Sequence, residues 1–208
     1  MNYPITIVQL ENSLTLSIPI SESVKGTYEQ LLERDPLTPF PFWAKLWASS
    51  KALTSFLINH SEWINNKAVL EIGAGIGQPS FTIAAKAKEV IISDHNADAV
   101  ELINYNIQQL GCTNVKAACL NWNDLPENIH ADIILLSDIN YAPTDFEPLL
   151  KLIQQFIKQR SKIIIATPQR IMASPFIEKL EGYIKHAHTI TINEADLAVA
   201  ISIYILME

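Results

Sequence analysis

The stretch VLEIGAGIGQ, residues 69 to 78, places three glycines at alternate positions: Gly73, Gly75 and Gly77. The chain has only six glycines, so half of them fall within five residues. Such concentration marks a turn with positive φ, or a backbone that must approach something a Cβ would push away. One acid, Glu71, precedes the glycines. A second, Asp94, ends the apolar run EVIISD, 19 residues after Gly75. An acid at that strand end can accept hydrogen bonds from both hydroxyls of a ribose. The plainer reading is that Asp94 caps a helix beginning near Asn96. A nicotinamide or flavin dinucleotide site asks for G-x-G-x-x-G, with its last glycine at position 78. Position 78 is Gln, and the spacing is G-x-G-x-G.

A second pair of candidates lies further along. Asp138 closes the apolar run ADIILLS, and Tyr141 follows three residues later. Asp138 reads either as a turn or capping acid or as a ligand-facing acid at the carboxyl end of a central strand, with Tyr141 lining the same opening. Trp122 stands in a polar loop, between Asn121 and the pair Asn123 and Asp124, where a stacking role competes with simple packing. Trp43 and Trp47 are four apart in a helical pattern, so they are expected to share a face, as core or as a cover for a site. His186 and His188 would lie on one face of a strand, but no third metal ligand accompanies them. Cys112 and Cys119 have no partners at metal spacing and read as reduced, buried thiols of a cytoplasmic protein.

These residues need a scaffold that brings them together. The first 20 residues alternate apolar and polar side chains around Glu11, Asn12 and Ser13, which predicts a small N-terminal β-hairpin. Three prolines in DPLTPFPF, residues 35–42, forbid regular helix there. The spacing predicts an amphipathic helix from Trp43 to Asn59. Strand-like runs follow at 68–72, 89–93, 114–119, 131–137 and 162–167, with helical segments near 79–87, 97–110 and 145–159. Strands alternating with helices imply right-handed crossovers and an α/β fold with a mainly parallel sheet covered on both faces. Two β-rich runs separated by residues 194–196 predict a C-terminal antiparallel hairpin. The 208 residues are read as a single domain, an extension at 1–42 and a core at 43–208.

Composition narrows the partners. The chain is 49% hydrophobic and 18% charged, which is globular and not disordered. A net charge of −7 and no run of Lys and Arg argue against nucleic acid and anionic membranes. No apolar stretch reaches the roughly 18 residues of a membrane span. The amino terminus lacks the pattern of a secretory signal.

Taken together, the motifs resemble the class I, seven-β-strand S-adenosylmethionine-dependent methyltransferases. E-x-G-x-G after one strand, an acid ending the next and a C-terminal hairpin carry the resemblance over about residues 40–208. It tightens toward the seven-strand protein-lysine methyltransferases through FPFWAKLWASS, LNW and the D-x-x-Y motif at Asp138–Tyr141. The resemblance implies a Rossmann-like, doubly wound, seven-stranded fold and S-adenosyl-L-methionine as cofactor. It implies that Gly73, Ala74 and Gly75 lie against the methionine part, with Glu71 beside them. Asp94 would take the ribose, His95 would flank the adenosine, Trp122 would stack near the adenine, and Ser137 would border the cofactor. Trp47 would close over the site, and Asp138 and Tyr141 would face the acceptor nitrogen. Asn121 departs from the acid often found before that Trp, and Asn123 or Asp124 is the candidate replacement. The expected acceptor is a protein lysine. A small-molecule amine is the alternative, and a non-catalytic cofactor-binding module a third reading. A cytoplasmic monomer is favoured.

Overall fold

The computed structural model describes residues 3–10, 13–126, 128–139, 143–170, 174–194 and 197–208. The N-terminal hairpin is formed by β1 (Ile5–Gln9) and β2 (Thr15–Pro19), paired antiparallel with Ile5 opposite Pro19. Its expected turn residues Glu11 and Asn12 lie outside the described residues. Then come α1 (Ser21–Arg34), α2 (Ala48–Asn59), β3 (Ala68–Ile72), α3 (Gln78–Ile83), β4 (Glu89–Asp94), α4 (Ala97–Leu110) and β5 (Val115–Cys119). The chain continues with β6 (Ile133–Ser137), α5 (Phe146–Lys158), β7 (Lys162–Pro168), α6 (Ser174–Glu178), β8 (Ile184–Glu194) and β9 (Leu197–Leu206).

Seven strands form one sheet in the order β5-β4-β3-β6-β7-β9-β8. The five strands from β5 to β7 are mutually parallel, and β9 runs antiparallel to both β7 and β8. The chain steps outward from β3 to β4 to β5, then returns to the other side of β3 as β6. This reversal leaves a crevice beyond the carboxyl ends of β3 and β6. The doubly wound sheet, its C-terminal hairpin and the separate N-terminal hairpin agree with the fold expected from the sequence.

Near-continuous apolar strands are required because both faces of the sheet are covered. Val69, Ile133, Leu135, Ile164 and Ala166 point to one face, where Leu53 and Phe56 of α2 and Leu102 and Ile103 of α4 bury them. Leu70, Ile134, Leu136, Ile163 and Ile165 point to the other, against Leu149, Ile153 and Phe156 of α5 and Phe176 of α6. Helix α4 has well-defined ends. Asn96 accepts the N–H groups of Asp98 and Ala99 at its start, and Gly111, at φ 63°, ends it in the left-handed conformation.

Three details depart from the sequence expectation. Helix α1 is absent from the sequence expectation although Val24, Tyr28, Leu31 and Leu32 recur at helical spacing; only Val24 of its 14 residues is buried. The helix expected from Trp43 begins only at Ala48. Phe42–Ala44 make a single 3-10 turn, Lys45 is extended and Trp47 is the residue before the helix, also extended. Pro39 and Pro41 hold the chain out of helix just upstream, and the Trp47 indole N–H donates to the Phe42 carbonyl at 2.8 Å, fixing the corner. Trp43 and Trp47 therefore share no helix face: Trp43 is buried and Trp47 half-buried. Cys112 and Cys119 are free, but Cys119 is exposed, because it ends β5 at the edge of the sheet.

Beside the apolar packing of Leu16 and Ile18, a buried polar side chain ties the N-terminal hairpin to the sheet layer. Buried Asn106 of α4 accepts the Ser17 N–H at 2.9 Å and donates to the Ser17 carbonyl at 2.9 Å. Removing the amide strands two buried backbone groups, at about 1–3 kcal/mol each. Asn106→Ala is expected to lower the unfolding free energy by about 3 kcal/mol and to speed hydrogen exchange at Ser17 ahead of β4. Urea unfolding with exchange read by NMR checks this; unchanged Ser17 exchange would show that the hairpin is held by other contacts.

Candidate active site

Three strand ends converge on the crevice. After β3 the backbone passes through Gly73, Gly75 and Gly77 with φ of 67°, 56° and 78°. A Cβ on Gly75 would stand 2.9 Å from the Trp43 carbonyl oxygen, and one on Gly77 would stand 2.9 Å from Ile92 Cγ2. The turn thus threads between the Trp43 backbone and β4, where no side chain fits. Two hydrogen bonds fold it, from Ala74 N–H to the Ser93 carbonyl and from Gly77 N–H to the Ala74 carbonyl, both 2.9 Å.

Asp94 clamps this turn. Its Oδ2 accepts the Gly75 N–H at 2.8 Å and its Oδ1 accepts the Asn96 N–H at 2.9 Å, with His95 Nδ1 3.4 Å from Oδ1. The helix cap is Asn96, so Asp94 joins the end of β4 to the glycine turn instead of capping α4. The carboxylate is only 4% exposed yet lines the cavity.

The cavity holds about 490 Å³, within the usual range for a small-molecule site. One wall is made by Gly73, Ala74, Gly75, Asp94, His95 and Trp122, and it continues to Ser137, Asp138 and Ile139 at the end of β6. The facing wall comes from the extension and the segment leading into α2: Tyr28, Phe40, Phe42, Trp43, Lys45 and Trp47. Rings chain along it, with Tyr28 to Phe40 at 5.2 Å, Phe40 to Phe42 at 4.9 Å and Phe42 to Trp47 at 6.0 Å between centroids. Lys45 Nζ lies 4.4 Å above the Trp47 ring.

Most of the candidates meet here. Glu71 does not reach the cavity. It is buried behind the turn, where its Oε2 accepts the Ser80 N–H at 3.3 Å at the start of α3. Burial pushes its pKa from the ordinary 4.5 up to about 7, against the pull of the Ser80 hydrogen bonds, with the Asp94 charge adding to the rise. Asn121 and Asn123 bond within their own turn, the Asn123 N–H donating to Asn121 Oδ1 at 2.9 Å, and neither they nor Asp124 line the cavity. Tyr141 lies outside the described residues. His186 and His188 are exposed on β8, packed against Trp63 and against Phe56 and His60. Among the described residues no group of three or more His, Cys, Asp or Glu could hold a metal.

Asp138 has an unusual setting. Its φ is 53°, rare for a residue with a Cβ, and its N–H donates to the Ala166 carbonyl at 2.9 Å. Burial raises its pKa, while the charge and hydrogen bond of Arg170 and then the charge of Lys45 pull it down. Arg170 Nη1 stands 3.1 Å from Oδ1, and Nη2 donates to Oδ2 at 3.3 Å. Arg170, Lys45, Tyr28, Phe40 and Phe42 escaped the sequence reading. The signal for Arg170 was available, since it lies two residues past the carboxyl end of β7, where site residues of such sheets collect.

The model of a family described as lysine methyltransferase matches residues 42–183. A calmodulin-lysine N-methyltransferase of Arabidopsis thaliana is 34% identical over 135 residues, covering 60% of this chain and 44% of the relative. A histone-arginine methyltransferase of Homo sapiens is 30% identical over 124 residues, 57% of this chain and 65% of the relative. The match thus spans less than two thirds of either. Among solved structures, the N-methyltransferase NodS from Bradyrhizobium japonicum, in complex with S-adenosylhomocysteine, superposes with a TM-score of 0.61 at 16% identity. That alignment covers 88% of this chain and 99% of NodS, and it shows a shared fold.

The setting of Glu71 has a consequence for stability. A carboxyl whose folded pKa lies above its unfolded value is favoured when protonated, so its stabilisation is full below about pH 4.5 and lost as pH rises through about 7. Glu71→Gln keeps an acceptor for Ser80 without the charge. The variant is expected to be more stable than the parent at pH 8, by up to about 3 kcal/mol, with the difference shrinking toward pH 4. Denaturant unfolding across that range checks it. A variant less stable at pH 8 would mean that the charge itself is used.

Proposed function

The chain belongs to the lysine methyltransferase family, and on that premise we propose that it is an S-adenosylmethionine-dependent methyltransferase acting on a lysine amine of a protein. One observation carries this reading: a glycine turn clamped to Asp94 and the carboxylate of Asp138 occupy adjoining parts of one cavity. The residues suit the cofactor. Gly73 and Ala74 leave the turn open to a close-lying methionine moiety, and Asp94 offers lone pairs to ribose hydroxyls. The rings of His95 and Trp122, 6.3 Å apart, flank a place for the adenosine. Ser137 borders it and Trp47 covers it. Glu71 supports the turn from behind instead of touching the cofactor.

When bound, the cofactor supplies a methyl group on a sulfonium sulfur, which departs by in-line displacement. The chain's own task is to hold the acceptor nitrogen on that line, and alignment of this kind accounts for much of such catalysis. A lysine has a reference pKa of about 10.4, and only the neutral amine attacks. Walls such as Phe42, Trp47 and Ile139 disfavour the charged form, and Tyr141 is proposed to add to them. Asp138 draws in and orients the ammonium but favours its protonated form, so the proton leaves to water before final docking.

The family description and the calmodulin-lysine relative favour lysine; the histone-arginine relative makes a protein nitrogen the broader class. No described helix is long and apolar enough to cross a membrane, and two free cysteines suit the cytoplasm.

Incubation with methyl-labelled cofactor and host-cell lysate tests the proposal. Label is expected in the protein fraction as methyl-lysine, at a rate rising with pH above 7 as neutral amine becomes available. Asp138→Asn, a side chain that tolerates positive φ, is expected to cut transfer at least about tenfold while S-adenosylhomocysteine affinity stays within a few-fold. Label confined to small molecules, with an undiminished Asp138→Asn rate, would overturn the lysine reading.

A further inference from the structure

Asp138 needs a partner before any acceptor arrives. Its side chain is 10% exposed, and a buried carboxylate without a counter-charge is strongly disfavoured. The guanidinium of Arg170 supplies one: Nη2 donates to Oδ2 at 3.3 Å, and Nη1 stands 3.1 Å from Oδ1 as an ion-pair contact, leaving that buried oxygen without a hydrogen bond among the described residues. The two partners differ in freedom. The backbone of Asp138 is pinned through its N–H at Ala166. Arg170 is rooted by its own N–H on the Pro168 carbonyl at 2.8 Å, but its long side chain is 45% exposed. Arg170 is thus the outer member and Asp138 the inner one, and both line the cavity beside Gly73 and Trp122.

We propose that Arg170 is the resting counter-ion of Asp138: it holds the place of the acceptor's cationic nitrogen and is exchanged for that nitrogen when the acceptor enters. This rests on the reading of Asp138 as the acceptor-facing acid. The exchange is like for like, one cation for another, so the buried carboxylate stays paired as the acceptor enters, until the acceptor's proton leaves to water. A neutral nucleophile could not make the exchange, and Arg170 thereby selects for acceptors that arrive charged. Among the described residues, the other titratable groups on the cavity are Lys45, Asp94, His95 and Asp98, with Tyr3 and Tyr28. Of these, Lys45 acts on Asp138 in the same sense as Arg170, whereas the described hydrogen bond to the carboxylate comes from Arg170.

The test uses the full chain without cofactor and n-butylammonium chloride as the probe. Carbon-13 NMR of the Asp138 carboxyl is followed against pH in the parent and in Arg170→Gln, and Asp138 is expected to titrate at higher pH in the variant. At pH 9 the probe is expected to bind Asp138 about fivefold more tightly in the variant, the worth of a part-exposed ion pair, because it no longer competes with Arg170. In the parent, saturating probe should move the Arg170 Nε–H resonance. Should Arg170→Gln unfold, Arg170→Lys, which keeps the charge without the guanidinium, is expected to bind the probe with intermediate affinity. Equal affinity in parent and folded variant, or an Arg170 resonance unmoved at saturation, would overturn the proposal and make Arg170 a fixed wall. Calorimetry with S-adenosylhomocysteine on the same parent sample reads the cofactor assignment separately, so failure of one leaves the other standing.

Discussion

The hydrogen bond from Gly75 N–H to the buried Asp94 carboxylate is the constraint on which the site depends. It ties the turn after β3 to the end of β4, two neighbouring strands whose register is already set by their parallel pairing. So drawn, the turn passes within contact distance of the Trp43 carbonyl, closer than any Cβ would permit. Trp43 directly follows the N-terminal extension, which is thereby seated over the crevice. Tyr3 packs edge-on against the Trp43 ring, with 5.7 Å between centroids, and links the seat back to the first hairpin. One short polar contact thus connects the sheet, the turn and the aromatic wall opposite.

Three carboxylates stand at or near strand ends around this turn, and their surroundings give them different roles. Glu71 has one backbone N–H and no cation, so burial drives it toward the neutral form near pH 7. Asp94 is satisfied by two backbone N–H groups, which keep it in place and leave lone pairs facing the cavity. Of the three, Asp138 is answered by a half-exposed guanidinium. A carboxylate meant to meet a charged acceptor must be buried enough to be selective and partnered enough to stay ionised, and an exchangeable arginine meets both demands.

The parallel sheet was legible because its strands are short apolar runs between amphipathic helices, a pattern that burial on both faces requires. The glycine turn and Asp94 were legible from spacing. Other features were not, for physical reasons. Helix α1 buries only Val24, and its apolar positions, Val24, Tyr28, Leu31 and Leu32, are at helical spacing but few among polar residues and interrupted by Gly26. The run from Trp43 to Asn59 has helical spacing throughout, yet prolines upstream and the Trp47–Phe42 hydrogen bond overrule it for five residues. The fate of Glu71 depends on which way a side chain leaves β3, and it turns behind the glycine turn to the start of α3 instead of into the cavity. Arg170 and Lys45 come from segments far apart in sequence, and nothing but the fold sets them around Asp138.

The central claim is that the Asp94-clamped turn is a cofactor cradle specific for the S-adenosyl group. Titration calorimetry with S-adenosylhomocysteine on the parent and on Gly75→Ala, with thermal unfolding recorded for both, tests it most directly. The parent should bind one equivalent and bind NAD far more weakly. Gly75→Ala, whose new methyl meets the Trp43 carbonyl at 2.9 Å, should unfold cooperatively but bind at least about tenfold more weakly, the cost of roughly 1.4 kcal/mol of misfit. Tighter binding of NAD by the parent, or undiminished binding by a folded Gly75→Ala, would contradict the account.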